Sequence, residues 1–188
     1  MGRPDLLEKL VVMNAPHPAA FAREFDREQL RRSWYMLAFQ LPWLPERLLT
    51  ADGCRAIGEL FREQPTNPDA CSEADVARYR EAFCQPGAAR AAIDYYRAFG
   101  RAMAWPLVRE RLPFVGWGGD LPGDTEIPVP TLVCWGEQDA ALSLDLVTSL
   151  DEWVPELRVE RYPEASHWVQ LDVPNKVNAA LSEFLGAK

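Results

Sequence analysis

Asp139 and His167 are the residues of this sequence whose types and setting could do chemistry together. Asp139 closes the run Thr131-Leu-Val-Cys-Trp-Gly-Glu-Gln-Asp139, in which a strand of buried type is stopped by a glycine and followed by an acid. His167 lies in Glu164-Ala-Ser-His-Trp168, in the loop after the next strand. Catalytic groups in open parallel sheets gather beyond the carboxyl ends of strands. A histidine that acts as general base needs a carboxylate to hold its tautomer and to stabilise the imidazolium. The two residues are 28 positions apart with one strand–helix–strand passage between them, so adjacent strands are expected to bring them into hydrogen-bond reach. Each taken singly is ordinary, a helix cap and a loop histidine. Taken jointly, they are a candidate acid and base.

Such a pair needs elements to position it. Lys9-Leu-Val-Val-Met-Asn-Ala15 is short, apolar and partly β-branched, and Pro16-His17-Pro18 closes it, so it is read as a buried strand ending in a turn. Pro4-Asp-Leu-Leu-Glu8 before it looks like the last turn of a helix. From Ala19 to about Arg111, apolar residues recur at helical spacing, as in Phe21 and Phe25, Tyr79 and Phe83, Tyr95 and Phe99. Breakers at Pro42, Pro45, Pro65, Pro68 and Pro86-Gly87 divide this region into about five helices. A Gly- and Pro-rich loop over Leu112–Pro130 leads to the strand Thr131–Trp135. A helix is expected over Ser143–Trp153, then an alternating strand over Leu157–Tyr162. A last helix, Asn175–Leu185, carries Val177, Leu181, Phe184 and Leu185 on one face.

This order predicts an α/β class fold, a parallel sheet with an inserted helical lid, in three parts: 1–18 and 113–188 as core, 19–112 as lid. Three strands are fewer than a parallel sheet buried on both faces needs, so the reading is of a partial fold.

Composition excludes several functions. The net charge is −8 and the sequence pI about 4.9, which argues against a nucleic-acid partner and against an anionic membrane surface. No secretory signal pattern is read at the N-terminus, and the run Leu10–Met13 is far too short to span a bilayer. The 4 cysteines, Cys54, Cys71, Cys84 and Cys134, form no CxxC pair, and 2 histidines give little help to a zinc site. They are read as reduced, buried thiols of a cytoplasmic protein, and no metal or organic cofactor is implied.

The strand-then-Gly-Glu-x-Asp segment and the Ala-Ser-His-Trp loop resemble the acid and histidine of the α/β-hydrolase fold. Its triad runs nucleophile, acid, histidine along the chain. Asn14-Ala-Pro-His-Pro18 resembles the end of the strand that enters that family's lid. Ser33-Trp-Tyr35 and Asp94-Tyr-Tyr-Arg97 resemble two lid segments of its epoxide hydrolase branch. The resemblance implies that Tyr35 and Tyr96 donate hydrogen bonds to an epoxide oxygen and support the alkoxide as the ring opens. Tyr95 is expected to pack, His17 to be structural, and Trp34, Trp105 and Trp168 to wall a pocket for a small apolar epoxide. The reaction implied is epoxide to diol through a covalent ester, with His167 activating water and Asp139 orienting it.

The family's nucleophile elbow has no counterpart, for the sequence holds neither Gly-x-Ser-x-Gly nor Gly-x-Asp-x-Gly. The chain is therefore expected to be the C-terminal half of a hydrolase, starting inside the helix behind the elbow and inactive alone. Glu8 and Asp172 are the first places to look should a nucleophile lie within it. The alternatives are a haloalkane dehalogenase with halide-binding Trp or Asn, an esterase with a serine nucleophile, and an inactive fragment. Such a fragment would associate with itself or a partner through an exposed sheet edge.

Overall fold

A computed structural model describes residues 4–111, 126–148 and 150–186. Most of the expected Gly- and Pro-rich loop lies outside them. Three strands, β1 (Leu10–Met13), β2 (Thr131–Gly136) and β3 (Leu157–Tyr162), form one parallel sheet in the order β1-β2-β3. The register pairs Val12 with Val133 and Val133 with Val159, and it runs to Gly136 opposite Tyr162. Every residue of β2 is buried, which is why that strand is an unbroken apolar run rather than an alternating one. β3, an edge strand, is instead half-buried over most of its length, with Arg158 and Arg161 paired to Glu183 (2.9 Å) and Glu137 (2.7 Å). Charged side chains of this kind are one way in which edge strands resist pairing.

The helices, in chain order, are α1 (Pro18–Arg23), α2 (Arg27–Arg32), α3 (Trp34–Ala38), α4 (Leu44–Glu63), α5 (Glu73–Phe83), α6 (Ala88–Arg111), α7 (Asp145–Thr148), α8 (Val169–Asp172) and α9 (Pro174–Leu185). Among the described residues, one compact unit takes in 4–32, 62–71 and 126–186, and a second takes in 33–61 and 72–111. Thus α1 and α2 group with the sheet, together with the link 62–71.

In the first unit, Leu132 and Cys134 of β2 pack with Tyr162, Ala165, Val169, Val177 and Ala180. Val11, Met13, Val173, Leu181 and Phe184 close around them. Burying side chains such as Val169 and Val177 contributes roughly 2 kcal/mol each. α9 starts at Pro174, whose fixed φ suits a first helical turn, and ends at Gly186 with φ 75°, where a side chain would be strained. The helix expected over Ser143–Trp153 is instead α7 followed by a 3-10 turn, Leu150–Glu152. One reason is local: Thr148 Oγ1 donates to the Asp145 carbonyl (2.9 Å), a side-chain bond of the kind that competes with continuation of a helix.

In the second unit, Pro45 does not separate two helices as expected, because it lies in the first turn of α4, where its missing N–H is no loss. The break comes later, at Asp52-Gly53-Cys54, with φ of 51°, 63° and 57°. Left-handed backbone costs a non-glycine residue roughly 1–2 kcal/mol. Arg80 holds this turn by donating to the Gly53 carbonyl from Nε (2.9 Å) and Nη2 (2.8 Å). Beside it Cys54 is bridged to Cys84, Cα atoms 6.0 Å apart. This corrects the reading of four reduced thiols: a separation of 30 residues carries no pairing signal, and only the turn and the end of α5 bring the two together.

α5 itself starts with a reciprocal cap, in which Ser72 Oγ accepts from Asp75 N and the Asp75 carboxylate accepts from Ser72 N. Arg97 of α6 donates to the carbonyls of Phe39 (3.0 Å) and Leu41 (2.7 Å) and pairs with Glu46 (2.6 Å), holding that carboxyl below its usual range. The segment between α3 and α4 is thereby tied to α6.

Candidate active site

Because β2 and β3 are parallel neighbours in register to their last residues, the segments that leave their carboxyl ends start side by side. Backbone bonds then zip the two segments together. Glu137 N donates to Tyr162 O (3.1 Å) and Gln138 N to Ala165 O (2.9 Å). The approach is close enough to need a glycine: a Cβ at Gly136 would lie 2.1 Å from the Ser166 carbonyl oxygen and 2.6 Å from that of Ala165.

Asp139, 2% exposed, accepts from four donors. Oδ1 takes the backbone N–H groups of Ala141 (2.7 Å) and Leu142 (3.0 Å). Oδ2 takes Asn14 Nδ2 (2.7 Å) and faces His167 Nδ1 at 2.8 Å. A carboxylate oxygen has only lone pairs to offer, so the shared proton sits on Nδ1 and His167 donates. Its other ring nitrogen, Nε2, is left with a lone pair, the form a general base requires.

Three side chains absent from the sequence reading hold the acid. Asn14, buried at the end of β1 with φ 39°, accepts from Gly136 N (2.8 Å) and donates to Gly136 O (3.2 Å) as well as to Asp139. From α2, Arg32 donates to the Asp139 carbonyl (2.7 Å). Gln29 donates to the Ala141 carbonyl (2.8 Å) and accepts from Ser143 N (3.0 Å). The signal for Asn14 was available: an asparagine directly after a strand is a residue that tolerates positive φ and can bond backbone on both sides. Gln29 and Arg32 gave no such sign, since an i, i+3 polar pair on a helix is most often solvated.

Asp172 is also buried. Its Oδ2 accepts from Ser166 N (2.7 Å) and Ser166 Oγ (2.6 Å), and its Oδ1 from Asn67 N (3.0 Å). Burial pushes this carboxyl up, but the donors from Asn67, Ser166 and Thr66 outweigh it and hold it below its ordinary value. With both oxygens engaged it is not a free nucleophile. Glu8 is exposed.

The tyrosines belong to the second unit. Tyr35 of α3 and Tyr96 of α6 meet edge to face, ring centroids 5.7 Å apart, and Phe39 packs edge-on against both. Burial raises the Tyr96 phenol above its ordinary pKa, so it keeps its proton. Tyr95, expected to pack, is 72% exposed, because it lies one helical position off the buried face. Trp34 is exposed too, Trp168 donates to Gln64 Oε1 (3.2 Å), and the Trp105 side chain lies outside the described residues. His17 accepts from Ala19 N at the start of α1 and stacks on Trp153 at 5.1 Å, a structural placement. Among the described residues, none of the His, Cys, Asp and Glu side chains group as metal ligands, and no helix is long and apolar enough to cross a membrane.

Comparison with known proteins agrees with this architecture. The model of the alpha/beta hydrolase fold family matches residues 3–174. "Epoxide hydrolase 2" of Caenorhabditis elegans is 28% identical over 187 residues, covering 96% of this chain and 48% of that protein. "Epoxide hydrolase 3" of Xenopus tropicalis is 34% identical over 190 residues, covering 96% and 47%. The crystal structure of a Bacillus megaterium epoxide hydrolase in complex with an inhibitor superposes with a TM-score of 0.79 at 25% identity, over 98% of this chain and 63% of that one. The chain spans about half the length of the curated relatives it matches. Its sequence match and its sheet together place it: the chain belongs to the alpha/beta hydrolase fold family and resembles that family's epoxide hydrolases.

Proposed function

We propose that this chain carries the acid, the base and the ring-opening phenols of an epoxide hydrolase. The observation that supports this most is the 2.8 Å contact between Asp139 Oδ2 and His167 Nδ1, with Nε2 left able to take a proton. Similarity to proteins named epoxide hydrolases supports the substrate class, a small apolar epoxide.

In the proposed reaction a carboxylate oxygen attacks an epoxide carbon. The ring C–O bond breaks, and the leaving oxygen takes hydrogen bonds and then a proton from the phenols of Tyr35 and Tyr96. The product of this step is a hydroxy-ester. Water next gives a proton to His167 Nε2 and adds to the ester carbonyl, while Asp139 stabilises the imidazolium. Collapse of the adduct releases the diol and the free carboxylate, and the imidazolium's proton passes by way of water to the phenolate left by ring opening, which restores the tyrosine and the neutral imidazole. Tyr96 suits the donor role because burial keeps its phenol protonated.

Residues 1–188 contain no elbow motif, and Asp172 is fully engaged, so the attacking carboxylate is proposed to come from a segment other than these residues. Residues 1–188 alone are expected to turn over no styrene-oxide-type epoxide, and a protein that adds a Gly-x-Asp-x-Gly segment to them is expected to do so. Turnover by residues 1–188 that His167→Ala abolishes would refute the placement of the nucleophile. Turnover that survives His167→Ala would refute the role of the base.

In the nucleophile-bearing protein, Tyr35→Phe and Tyr96→Phe are each expected to slow ester formation roughly 10²-fold, the usual cost of losing one preorganised donor to a developing oxyanion. Rapid-quench measurement of the ester reads this step directly. Equal ester formation in the double Phe variant would return the two tyrosines to a packing role.

A further inference from the structure

Asp172 takes no part in the proposed chemistry, yet it is a buried carboxylate one helical turn beyond His167. Its bonds converge on the two neighbours of that histidine. Oδ2 accepts from both the backbone N–H and the hydroxyl of Ser166, the residue before His167. The same Ser166 Oγ accepts from the backbone N–H of Trp168, the residue after it, at 3.1 Å. His167 is therefore held between two residues that are both tied, directly or through one hydroxyl, to Asp172.

The far side of this clamp is the link 62–71. Asn67 N donates to Asp172 Oδ1 (3.0 Å), and Asn67 Nδ2 to the Asp172 carbonyl (3.3 Å). Thr66 Oγ1 donates to the Glu164 carbonyl (2.7 Å), and Gln64 Oε1 accepts from Trp168 Nε1 (3.2 Å). Three residues of the link thus brace both ends of the histidine loop. Gln138 N to Ala165 O and Gln138 Nε2 to the Pro163 carbonyl tie the part of the loop before Ser166 to the segment that carries Asp139.

We propose that Asp172 is the positioning residue of His167, fixing through Ser166 the backbone from which the imidazole reaches Asp139. The inference rests on the acid–base reading of Asp139 and His167 and deepens it. A hydrogen bond held at both ends by a rigid loop opens rarely. Removing one side of the clamp lets the loop shift by the few tenths of an ångström that lengthen a 2.8 Å contact.

The test uses the full chain and the exchange with water of the His167 Nδ1–H proton, read by imidazole 15N NMR. Two variants are measured. Asp172→Asn removes the charge and turns an amide NH₂ or a poorer acceptor toward Ser166. Ser166→Ala removes only the hydroxyl shared by Asp172 and Trp168. Each is expected to speed that exchange about fivefold, the factor that corresponds to one ordinary hydrogen bond. The amide protection of β2 serves as the check that the fold is retained, and if Asp172→Asn fails it, Ser166→Ala decides. Exchange unchanged in a folded variant of either kind overturns the proposal. Absence of a protected Nδ1–H signal in the unmodified protein is a different failure, that of the acid–base reading itself, and it is read before any variant is made.

Discussion

Replacing Asp139 by asparagine is expected to cut ester hydrolysis by about 10⁴-fold in protein that carries its nucleophile. The reason lies in the four donors around this side chain. An asparagine has one acceptor oxygen where Asp139 has two. If its oxygen faces Ala141 N and Leu142 N, its NH₂ faces Asn14 Nδ2 and His167 Nδ1, both of which now donate. His167 can relieve that clash only by moving its proton to Nε2, and an Nε2–H imidazole cannot take a proton from water. If the amide is turned round, the buried N–H of Leu142 and the part-buried N–H of Ala141 lose their acceptor, at roughly 1–3 kcal/mol for the buried one. Either way the base is lost or the loop is destabilised. Single-turnover kinetics separate the steps: the ester should form at nearly the parent rate and then persist. An Asp139→Asn variant that hydrolyses its ester within tenfold of the parent would show that the carboxylate does not set the tautomer.

Gly136→Ala is the second large effect. The added methyl would stand 2.1 Å and 2.6 Å from two carbonyl oxygens, of Ser166 and Ala165, and both are backbone rather than the movable ends of side chains. The end of β2 and the histidine loop must therefore separate. We expect a loss of about 3 kcal/mol in stability, at the upper end for overpacking, and a melting temperature lower by roughly 6–12 °C. Because the same movement draws Ser166 and His167 away from Asp139, the folded fraction should also lack a working base. Thermal unfolding followed by far-UV circular dichroism gives the first number. A variant that melts with the parent would mean that the loop does not rest on the strand end.

The meeting of Asp139 and His167 was legible in the sequence because its signal is local. A buried-type strand stopped by glycine with an acid three residues on, and a histidine after the next strand, define two loop positions, and parallel pairing does the rest. The parallel core was legible for the same reason, since β2 reads as an unbroken apolar run and α9 as an amphipathic stretch that starts at a proline. What was not legible depends on contacts between distant segments. Gln29 and Arg32 look like surface residues of a polar helix until the Asp139 loop is laid against them. The bridge between Cys54 and Cys84 depends on a left-handed turn inside what the prolines alone present as continuous helix. Asn67 and Asp172, 105 residues apart, meet only because the link 62–71 returns to the sheet. Tyr95 and Tyr96 differ by one position, and periodicity alone did not say how exposed the first would be.

The imidazole nitrogen spectrum of the chain tests the central claim most directly. The sequence holds 2 histidines, and the structure gives them opposite tautomers. His17 Nδ1 accepts from Ala19 N, so its proton belongs on Nε2, whereas His167 Nδ1 faces a carboxylate and must carry its own. Long-range 1H–15N correlation at a pH where both rings are neutral should show one ring of each kind. The Nδ1–H signal should lie downfield and be protected from water, and in Asp139→Asn it should either vanish or lose its downfield position and its protection. Two rings both protonated at Nε2, with no change on replacing Asp139, would contradict the account.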